Sequence, residues 1–420
     1  MATTDFAAPR RLTLTVERLR NISIWVAVFI SGYVLVEPSP HELYLVLAFG
    51  AWLAAGLAIP RETGPLLVLL LLFTAGGLMA VHLTRVDFAG DAMVYALVSG
   101  FMALIAIFYA AVIADDWRRL DVIANAAVWI AVVVALIGIL AYFHLIPGSD
   151  LFLLYDRARS TFMDPNVYGP FLMFPALILF RRIMVGRLLP SLPLLVPFGI
   201  ILLGIFLSFS RAAWGLTAFA LLLLGAVVFV NTRSARTRAR YLMIALLGIA
   251  FLAVLLVAAL SVPAVSDLFA QRAQLTQGYD TETGSELGRF ARHWAGFARV
   301  PALPLGLGPI QFGVEYGSAT HNVYLNAFMS YGWLGGFSLI LLLLWTLAAG
   351  FPLLFKPRPW QALYQCAYVA FLAHLFIAWV IDVDHWRHFY LLLGVIWGVI
   401  AVEKISTRRL VRPAPATTPG

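Results

Sequence analysis

Arginines in unusual positions are the first residues of this 420-residue chain that could do chemistry. Arg211 follows a Ser-Phe-Ser segment where one apolar run ends and the next begins. Arg289 and Arg292 are three residues apart, a spacing that places both side chains on one face of a helix. Neighbouring guanidiniums repel each other unless an anion lies between them, and arginine binds phosphate in a bidentate manner. The alternatives are a snorkelling side chain at Arg211 and, for the pair, salt bridges to Glu282 or Glu286.

A histidine stands immediately before a late apolar segment, in Thr320-His321-Asn322. Thr320 is a candidate N-cap, which would place His321 in the first turn of a helix. Histidine is the usual general base near neutral pH. A lone histidine at a membrane boundary can equally be a structural hydrogen-bonding residue, so both roles stay open for His321.

Two arginines precede a turn in the middle of the chain. Arg157 and Arg159 lie upstream of Asp164-Pro165-Asn166, a sequence typical of a turn that opens a helix. Asn166 is a candidate helix cap. The alternative is turn chemistry with an Arg–Asp ion pair, which suits Asp164 better than it suits the two arginines.

The last polar segment runs from Asp382 to His388. Asp384, His385 and His388 carry side chains that can bind metals, but their spacing fits no strong metal signature. We therefore expect a solvated polar turn there and no metal site. Phosphate-binding loops and zinc-hydrolase motifs are absent from the sequence, so ATP-driven chemistry within this chain is not expected.

The composition defines the class of protein that must position these residues. The chain is 62% hydrophobic and 12% charged, whereas a soluble domain has roughly 25% charged residues. Long apolar runs predict an all-α polytopic integral membrane protein, a single membrane domain over residues 1–420 in contact with the lipid bilayer. The one cysteine, Cys366, lies in an apolar run, which excludes a disulfide or a cysteine-based metal site within one chain.

Hydropathy predicts about twelve transmembrane helices. They are expected near residues 22–36, 42–59, 64–83, 92–114, 121–146, 166–184, 189–209, 212–231, 240–262, 321–351, 361–381 and 386–402. The basic N-terminal residues precede an apolar run without a clear cleavage site, which favours an uncleaved first span. The longest connection, residues 263–320 between spans nine and ten, carries Phe290, Trp294 and Phe297 at roughly helical spacing. This spacing predicts a helix lying along the membrane interface or packed over the bundle.

Lysine and arginine positions orient the spans. If both termini are cytoplasmic, 20 of the 29 basic residues lie on the inner side, which satisfies the positive-inside rule. The net charge of +8 then reflects topology, and no nucleic-acid partner is expected. The candidate arginines and His321 fall on the outer side, together with the 263–320 loop.

The stretch from Gly199 to Thr346 resembles the O-antigen ligase and polymerase superfamily of bacterial membrane proteins. The matching segments occur in the family's order, and a further one lies upstream. They are Phe162–Asn166 (the Pro-Asn segment), Ser208–Gly215 (Ser-x-Ser-Arg), Arg289–Trp294 with Pro304–Gly308 (Arg…Trp…Pro-x-Gly-x-Gly) and His321–Gly335 (His-Asn-x-x-Leu…Gly-x-x-Gly).

This resemblance implies an extracytoplasmic glycosyltransferase in the bacterial inner membrane, with its active site facing the periplasm. The donor would be a glycan on undecaprenyl diphosphate, and no metal, nucleotide or other cofactor would be needed. An O-antigen ligase transfers the glycan onto lipid A-core in lipopolysaccharide biosynthesis. The alternative within the family is a repeat-unit polymerase for O-antigen or exopolysaccharide, whose acceptor is a growing glycan.

The resemblance also implies roles for individual residues. Arg211 and Arg289 would hold the donor diphosphate, and His321 would assist the attack of the acceptor hydroxyl. The spacing to the family tryptophan leaves open whether Arg289 or Arg292 is the family arginine, and we favour Arg289. The further candidates for substrate binding are Arg159, Asn166, Arg292 and Asn322.

A secondary transporter or flippase is the competing class. Such proteins often show two related halves and a site at mid-bilayer. The sequence shows no internal halves, and its candidate residues gather on one side of the membrane. We therefore expect Arg211, Arg289 and His321 to share one cavity near the outer boundary, with Arg159 at its rim.

Overall fold

The computed structural model describes residues 10–36, 38–273 and 288–411. Within these ranges the only sheet is a two-stranded hairpin of β1 (Leu153–Leu154) and β2 (Arg157–Ala158), so the predicted all-α class is confirmed. The described α-helices, numbered in chain order, are α1 Arg10–Ile30, α2 Pro40–Ala54, α3 Gly64–Ala80, α4 Ala89–Asp115, α5 Arg119–Tyr142, α6 Pro165–Phe171, α7 Met173–Val185, α8 Leu188–Ser191, α9 Leu195–Leu207, α10 Arg211–Asn231, α11 Ala235–Leu260, α12 Pro263–Ala273, α13 Arg289–Arg299, α14 Gln311–Tyr316, α15 Val323–Gly350, α16 Gln361–Ile377 and α17 Arg387–Val411.

Eight helical segments of the described chain are long and apolar enough to cross a membrane. They are Arg61–Leu83, Val86–Asp115, Arg119–Tyr142, Pro165–Val185, Leu189–Leu207, Arg211–Asn231, Val323–Phe355 and Arg387–Arg408. The apolar helix α16 is shorter, and α1, α2 and α11 overlap the remaining predicted spans. The 15 residues of α2 are fewer than the roughly 20 that cross the hydrocarbon. The chain is a multi-pass membrane protein, and a total of twelve spans stays a prediction.

The centre of the bundle is the pair formed by α4 and α17. A Cβ atom added at Gly394 would lie 2.6 Å from the carbonyl oxygen of Ala106, and one at Gly398 would lie 2.7 Å from Ile113. Small residues at such contacts let the helix backbones approach closely, which is how membrane helices gain packing energy. The loop that precedes α17 bonds to α4 through His385 and Asp384, so this pair supports the polar residues at one end of the bundle.

The helix α15 is broken in the middle, where Gly332 has a φ of +64°. The segment 303–308 packs against the break. The amide of Leu307 donates a hydrogen bond to the carbonyl of Met329 at 2.7 Å, and the amide of Trp333 donates to the carbonyl of Pro304 at 2.8 Å. The Pro-x-Gly-x-Gly motif therefore satisfies backbone groups that the break in α15 leaves without helical partners.

The long connection of the prediction contains helices in its described parts, and residues 274–287 lie outside those parts. The predicted helix over Phe290, Trp294 and Phe297 is confirmed as α13. Phe297 packs towards a small core cluster that includes Leu325, whereas Trp294 is 79% exposed. The helix α13 thus lies over the start of α15, with an aromatic edge turned outwards.

The two ends of the bundle carry different polar groups. At what we call the opposite end, Glu403 accepts hydrogen bonds from Lys356 and Arg358, and Arg408 pairs with Glu62. At what we call the cavity end, α10, α15 and α17 begin and α16 ends. The residues singled out in the sequence lie at the cavity end.

Candidate active site

A cavity of about 680 Å³ lies at the cavity end of the bundle. Its apolar lining includes Phe290, Val380 and Trp386. The charged and polar side chains in its lining come from widely separated parts of the sequence, and they include Arg157, Asp164, Asn166, Arg211, Arg289, His321 and Asp382. The structure thus brings Arg211, Arg289 and His321 to one cavity, as the prediction of a shared cleft requires. Their chemical roles stay predictions.

Arg211 reaches the cavity from the first turn of α10. Ser210 is the N-cap of this helix, and its hydroxyl accepts a hydrogen bond from the amide of Ala213 at 3.4 Å. Phe209, just before the cap, has a φ of +45°, which turns the chain sharply between α9 and α10. The sharp turn and the cap place Arg211 at the end of the bundle, where it lines the cavity.

Arg157 is a cavity residue that the sequence did not single out above Arg159. It is 7% exposed, and its Nε atom donates to the carbonyl of Ser208 at 2.8 Å. Its Nη2 atom donates to Oδ1 of Asn166 at 2.9 Å. The first bond attaches the 157–159 loop to the turn that carries Arg211, and the second joins the same side chain to α6.

Asn166 is therefore a cavity residue, but its predicted capping role is wrong. The N-cap of α6 is Asp164, whose carboxylate accepts a hydrogen bond from the amide of Asn166 at 2.6 Å. Proline occupies the first helical position after it, where no amide donor is needed. The side chain of Asn166 therefore does not cap the helix, and its Oδ1 atom accepts the hydrogen bond from Arg157.

Arg159 lies outside the cavity lining. Its Nη2 atom donates to the carbonyl of Leu151 at 3.1 Å, and its Nη1 atom contacts the carbonyl of Met163 at 3.4 Å. The guanidinium is used to hold the loop together. The structure therefore gives Arg159 a structural position, and Arg157 occupies the cavity instead.

The loop arginines Arg289 and Arg292 separate in the structure. Arg289, the first residue of α13, lines the cavity and contacts the carbonyl of Val380 at 3.5 Å. Arg292 is 5% exposed and is not part of the lining. The expectation of one anion held between both guanidiniums is not supported, and of the two residues Arg289 is the one that a cavity ligand can reach. Glu282 and Glu286, the alternative partners, lie outside the described residues.

The predicted cap of α15 is wrong by two residues. Asn322 is the N-cap, because its Oδ1 atom accepts a hydrogen bond from the amide of Leu325 at 3.0 Å. Asn322 is buried and is not in the cavity lining, so the structure gives it a structural role. His321 lies before the helix with a φ of +47°, a conformation that turns its side chain out of the helical register and into the cavity lining.

The carboxylate of Asp382 organises this corner of the cavity. It accepts hydrogen bonds from the hydroxyl of Thr320 at 2.9 Å and from the amides of His321 and Asn322 at 2.9 and 2.8 Å. Its Oδ2 atom lies 3.9 Å from Nδ1 of the His321 ring. One carboxylate therefore fixes the backbone that carries His321 and also faces its imidazole.

The surroundings shift the pKa values of Asp382 and His321 in opposite directions. Burial, assisted by the charge of Asp384, raises the pKa of Asp382 to about 6, against hydrogen bonds that lower it. Burial also lowers the pKa of His321, as do the charges of Arg289 and Arg292, while Asp382 opposes this shift. At neutral pH the carboxylate is ionised and the imidazole is neutral. A neutral imidazole beside a carboxylate can accept a proton and be stabilised once it is charged.

The segment around Asp384 is not the solvated turn that the sequence suggested. Asp384 is 2% exposed, accepts a hydrogen bond from Nδ2 of Asn326 at 2.7 Å and contacts the hydroxyl of Tyr95 at 3.3 Å. His385 faces Ser99 on α4, at 3.0 Å between Nε2 and Oγ. These contacts anchor the loop between α16 and α17 and bring Asp382 inwards. The only signal in the sequence is that Asp382 lies on the same predicted side of the membrane as the candidate arginines.

The charges of the lining favour an anion. Three guanidiniums and two carboxylates face the cavity, so its lining is positive when His321 is neutral. Guanidiniums held in place in a poorly solvated site stabilise negative charge more than they would in water.

Two comparisons with known proteins found no match for this chain. No protein-family model matches the chain, and no curated protein matches it. The resemblance to the ligase and polymerase superfamily therefore rests on the motifs themselves.

Proposed function

We propose that this protein is a glycosyltransferase that moves a glycan from undecaprenyl diphosphate to an acceptor hydroxyl. The observation that carries the proposal is the joint presence of Arg211, Arg289 and the His321–Asp382 pair in one cavity at the end of a membrane bundle. The matching family motifs supply the class of substrate. The cavity geometry supplies the means by which these residues would act together.

The donor diphosphate suits the arginine side of the cavity. Departure of the diphosphate concentrates negative charge on its oxygens, and planar guanidiniums bind such oxygens in pairs. Arg157, tied to the Arg211 turn through Ser208, adds a third guanidinium to that side. The apolar residues Phe290 and Val380 in the lining suit the first part of a lipid tail.

The acceptor hydroxyl suits the histidine side. In the proposed step the acceptor oxygen bonds to the anomeric carbon of the donor sugar, and the bond from that carbon to the phosphate oxygen breaks. The electron pair leaves with undecaprenyl diphosphate, and the hydroxyl proton passes to the imidazole of His321. Asp382 stabilises the resulting imidazolium, since its carboxylate is ionised at neutral pH.

The orientation follows from the distribution of basic residues. Residues such as Lys356, Arg358 and Arg408 lie at the opposite end, which by the positive-inside rule is cytoplasmic. The cavity then faces the periplasm, and both termini are cytoplasmic. This orientation exposes the cavity to a donor displayed on the outer leaflet of the bacterial inner membrane.

The acceptor we favour is lipid A-core, which makes the protein an O-antigen ligase. A repeat-unit polymerase would use the same chemistry with a growing glycan as acceptor. A transporter is less well supported, because its site would lie near the middle of the membrane, whereas the cavity is lined by helix ends.

The test is transfer by the purified protein in liposomes. Undecaprenyl diphosphate-linked glycan is supplied with lipid A-core or with a second molecule of the donor. We expect glycan-bearing lipid A-core together with free undecaprenyl diphosphate. Elongated lipid-linked glycan would instead identify a polymerase. Lack of transfer to either acceptor, by protein that elutes as a single species and in an assay where a known glycan ligase is active, would overturn the proposal.

A further inference from the structure

A second, apolar cavity of about 770 Å³ lies towards the opposite end of the bundle. It is a groove between α10 and α15, with α16 as its floor, and the turn Phe351–Phe355 closes one end. We call it the tail groove and define it by Leu223, Val227 and Val230 of α10, Leu344 and Leu347 of α15, and Leu372 of α16.

One face of α16 joins the tail groove to the candidate active site. Tyr368, Leu372 and Phe376 follow each other at four-residue spacing, which places them on one side of the helix. Tyr368 and Leu372 line the tail groove, Phe376 is 51% exposed, and Val380 in the next turn lines the active-site cavity. The apolar face is therefore continuous from one cavity to the other.

The facing side of α10 makes the same connection. Ala212 lines the active-site cavity, Phe219 lies midway, and Leu223 lines the tail groove. The rings of Phe219 and Phe376 meet edge to face, with 5.4 Å between their centroids. The seam between α10 and α16 is thus an apolar path whose middle is marked by two phenyl rings.

The length of this path restricts what could fill it. Ala212 and Val230 are eighteen residues apart on α10, which corresponds to about 27 Å at the rise of an α-helix. The hydrocarbon of a bilayer is about 30 Å thick, so each leaflet supplies about half of it. The near edge of the groove, Leu223, is about 16 Å from Ala212. A lipid with its head in the active-site cavity and its tail filling the groove to Val230 must therefore extend well beyond one leaflet. Ordinary acyl chains end near mid-membrane, whereas a long polyprenyl chain reaches the groove.

We propose that the tail groove binds the distal part of the donor's polyprenyl chain, so that the enzyme selects lipid diphosphates whose tails are longer than one leaflet. This inference rests on the proposed glycosyltransferase function and adds tail length to the features that define the donor. The groove is open to such a chain, because Val230 and Leu344 on its two walls are 62% and 59% exposed. Selection follows from close packing, since removal from water gives no gain inside a bilayer.

The experiment compares donors that carry the same glycan diphosphate on an undecaprenyl or a geranyl tail. Initial rates are measured in detergent, with donor given as mole fraction of the micelle so that partitioning is equal. We expect a lower KM for the undecaprenyl donor than for the geranyl donor. Ala226→Trp and Ala348→Trp add bulk to the groove lining. Each should raise the KM of the undecaprenyl donor by about tenfold, a change of roughly 1.4 kcal/mol in binding, and leave the geranyl donor unchanged.

Ala218→Trp is the matched control, because Ala218 is an exposed residue of α10 that lines neither cavity. It should leave both donors unaffected. Equal KM values for the two tails in the unmodified protein would overturn the inference, even if a groove variant failed to fold. Equal KM values with clear transfer leave the proposed function standing, whereas no transfer from either donor means that the function itself is wrong.

Discussion

The three guanidiniums of the active-site cavity are held in different ways. Arg157 is fixed by two side-chain hydrogen bonds, to Ser208 and Asn166. Arg211 is placed by the capped first turn of α10, and Arg289 comes from a separate helix above the bundle. Side chains that are already ordered lose less entropy when they bind a ligand. The arginine side of the cavity is therefore partly organised before the proposed donor binds.

Substitution of Arg211 should weaken donor binding and transfer together. Arg211→Ala removes hydrogen bonds to a charged ligand, which contribute about 1.5–3 kcal/mol, so donor affinity should fall by roughly 10- to 150-fold. Arg211→Lys should recover only part of the loss, because an ammonium lacks the planar pair of donors. Donor binding and kcat/KM measured on the reconstituted protein test this. Arg159→Ala is the control, and unchanged donor binding by Arg211→Ala would contradict the assignment.

The histidine side should show its pairing in the pH dependence of transfer. The pKa of Asp382 is raised to about 6 and that of His321 is lowered, so the active form, with carboxylate and neutral imidazole, is lost as pH falls through about 6. The rate should therefore rise with pH to a plateau near neutrality. Asp382→Asn removes the charge that raises the pKa of His321, so the acid limb should move to lower pH and the plateau should fall.

Removal of His321 gives the matched comparison. His321→Ala should reduce transfer by about 10²–10⁴, the usual contribution of general acid–base catalysis, while donor binding persists. The role of the pair is tested by transfer rates measured from pH 5 to 9, with an expected midpoint of about 6. Near-normal transfer by His321→Ala would return this residue to a structural role, and an unmoved acid limb in Asp382→Asn would separate the carboxylate from the titration.

The residue types carried most of the information about the site. Arg211, Arg289 and His321 could be selected because cations and a histidine on the predicted outer side oppose the charge bias of a membrane protein. Asp382 could not be selected, because its position depends on buried contacts of Asp384 with α4 and α15. Such contacts join residues more than fifty positions apart, and no local sequence pattern predicts them.

At the scale of elements, the break at Gly332 divides α15 into two parts. The first part of α15, before Gly332, carries the Asn322 cap and the adjacent histidine. The apolar pattern predicted one span there, and it predicted the helices well because their periodicity and length are local properties. It did not predict the break or the true caps, since these depend on which donor meets which acceptor after folding. Gly306, with a φ of +78°, lies in close contact with the backbone at the break.

Gly306→Ala should therefore destabilise the protein. An added Cβ would lie 2.5 Å from the carbonyl oxygen of Met329, and the residue would keep a left-handed backbone conformation. Strain of this kind costs of order 1–3 kcal/mol, and it should lower Tm and move α15 away from its site geometry. Thermal unfolding of the detergent-solubilised protein measures the effect. Gly50→Ala is the control, because no atom lies within 4 Å of its added Cβ; equal Tm values for the two variants would show that the close fit is unimportant.

At the scale of the whole molecule, the proposed roles of both cavities depend on which end of the bundle faces the periplasm. The active-site cavity and the tail groove lie towards opposite ends of the same α10–α16 seam. If the cavity end faces the periplasm, a donor in the outer leaflet presents its diphosphate to the arginines while its tail extends inwards. If the bundle is inverted, the cavity faces the cytoplasm, and transfer to an acceptor on the periplasmic side is excluded.

Cysteine labelling tests this direction. Ala302 lies at the cavity end beside α13, and Ala235 begins α11 in the basic connection after α10; both are exposed. The protein's own Cys366 is 1% exposed, so the unmodified chain provides the unlabelled background. A membrane-impermeant maleimide should label Ala302→Cys in intact cells and Ala235→Cys only after permeabilisation, because the 233–240 connection carries four arginines that favour the cytoplasm. The reverse pattern would invert the chain, and a periplasmic glycan acceptor could then not reach His321.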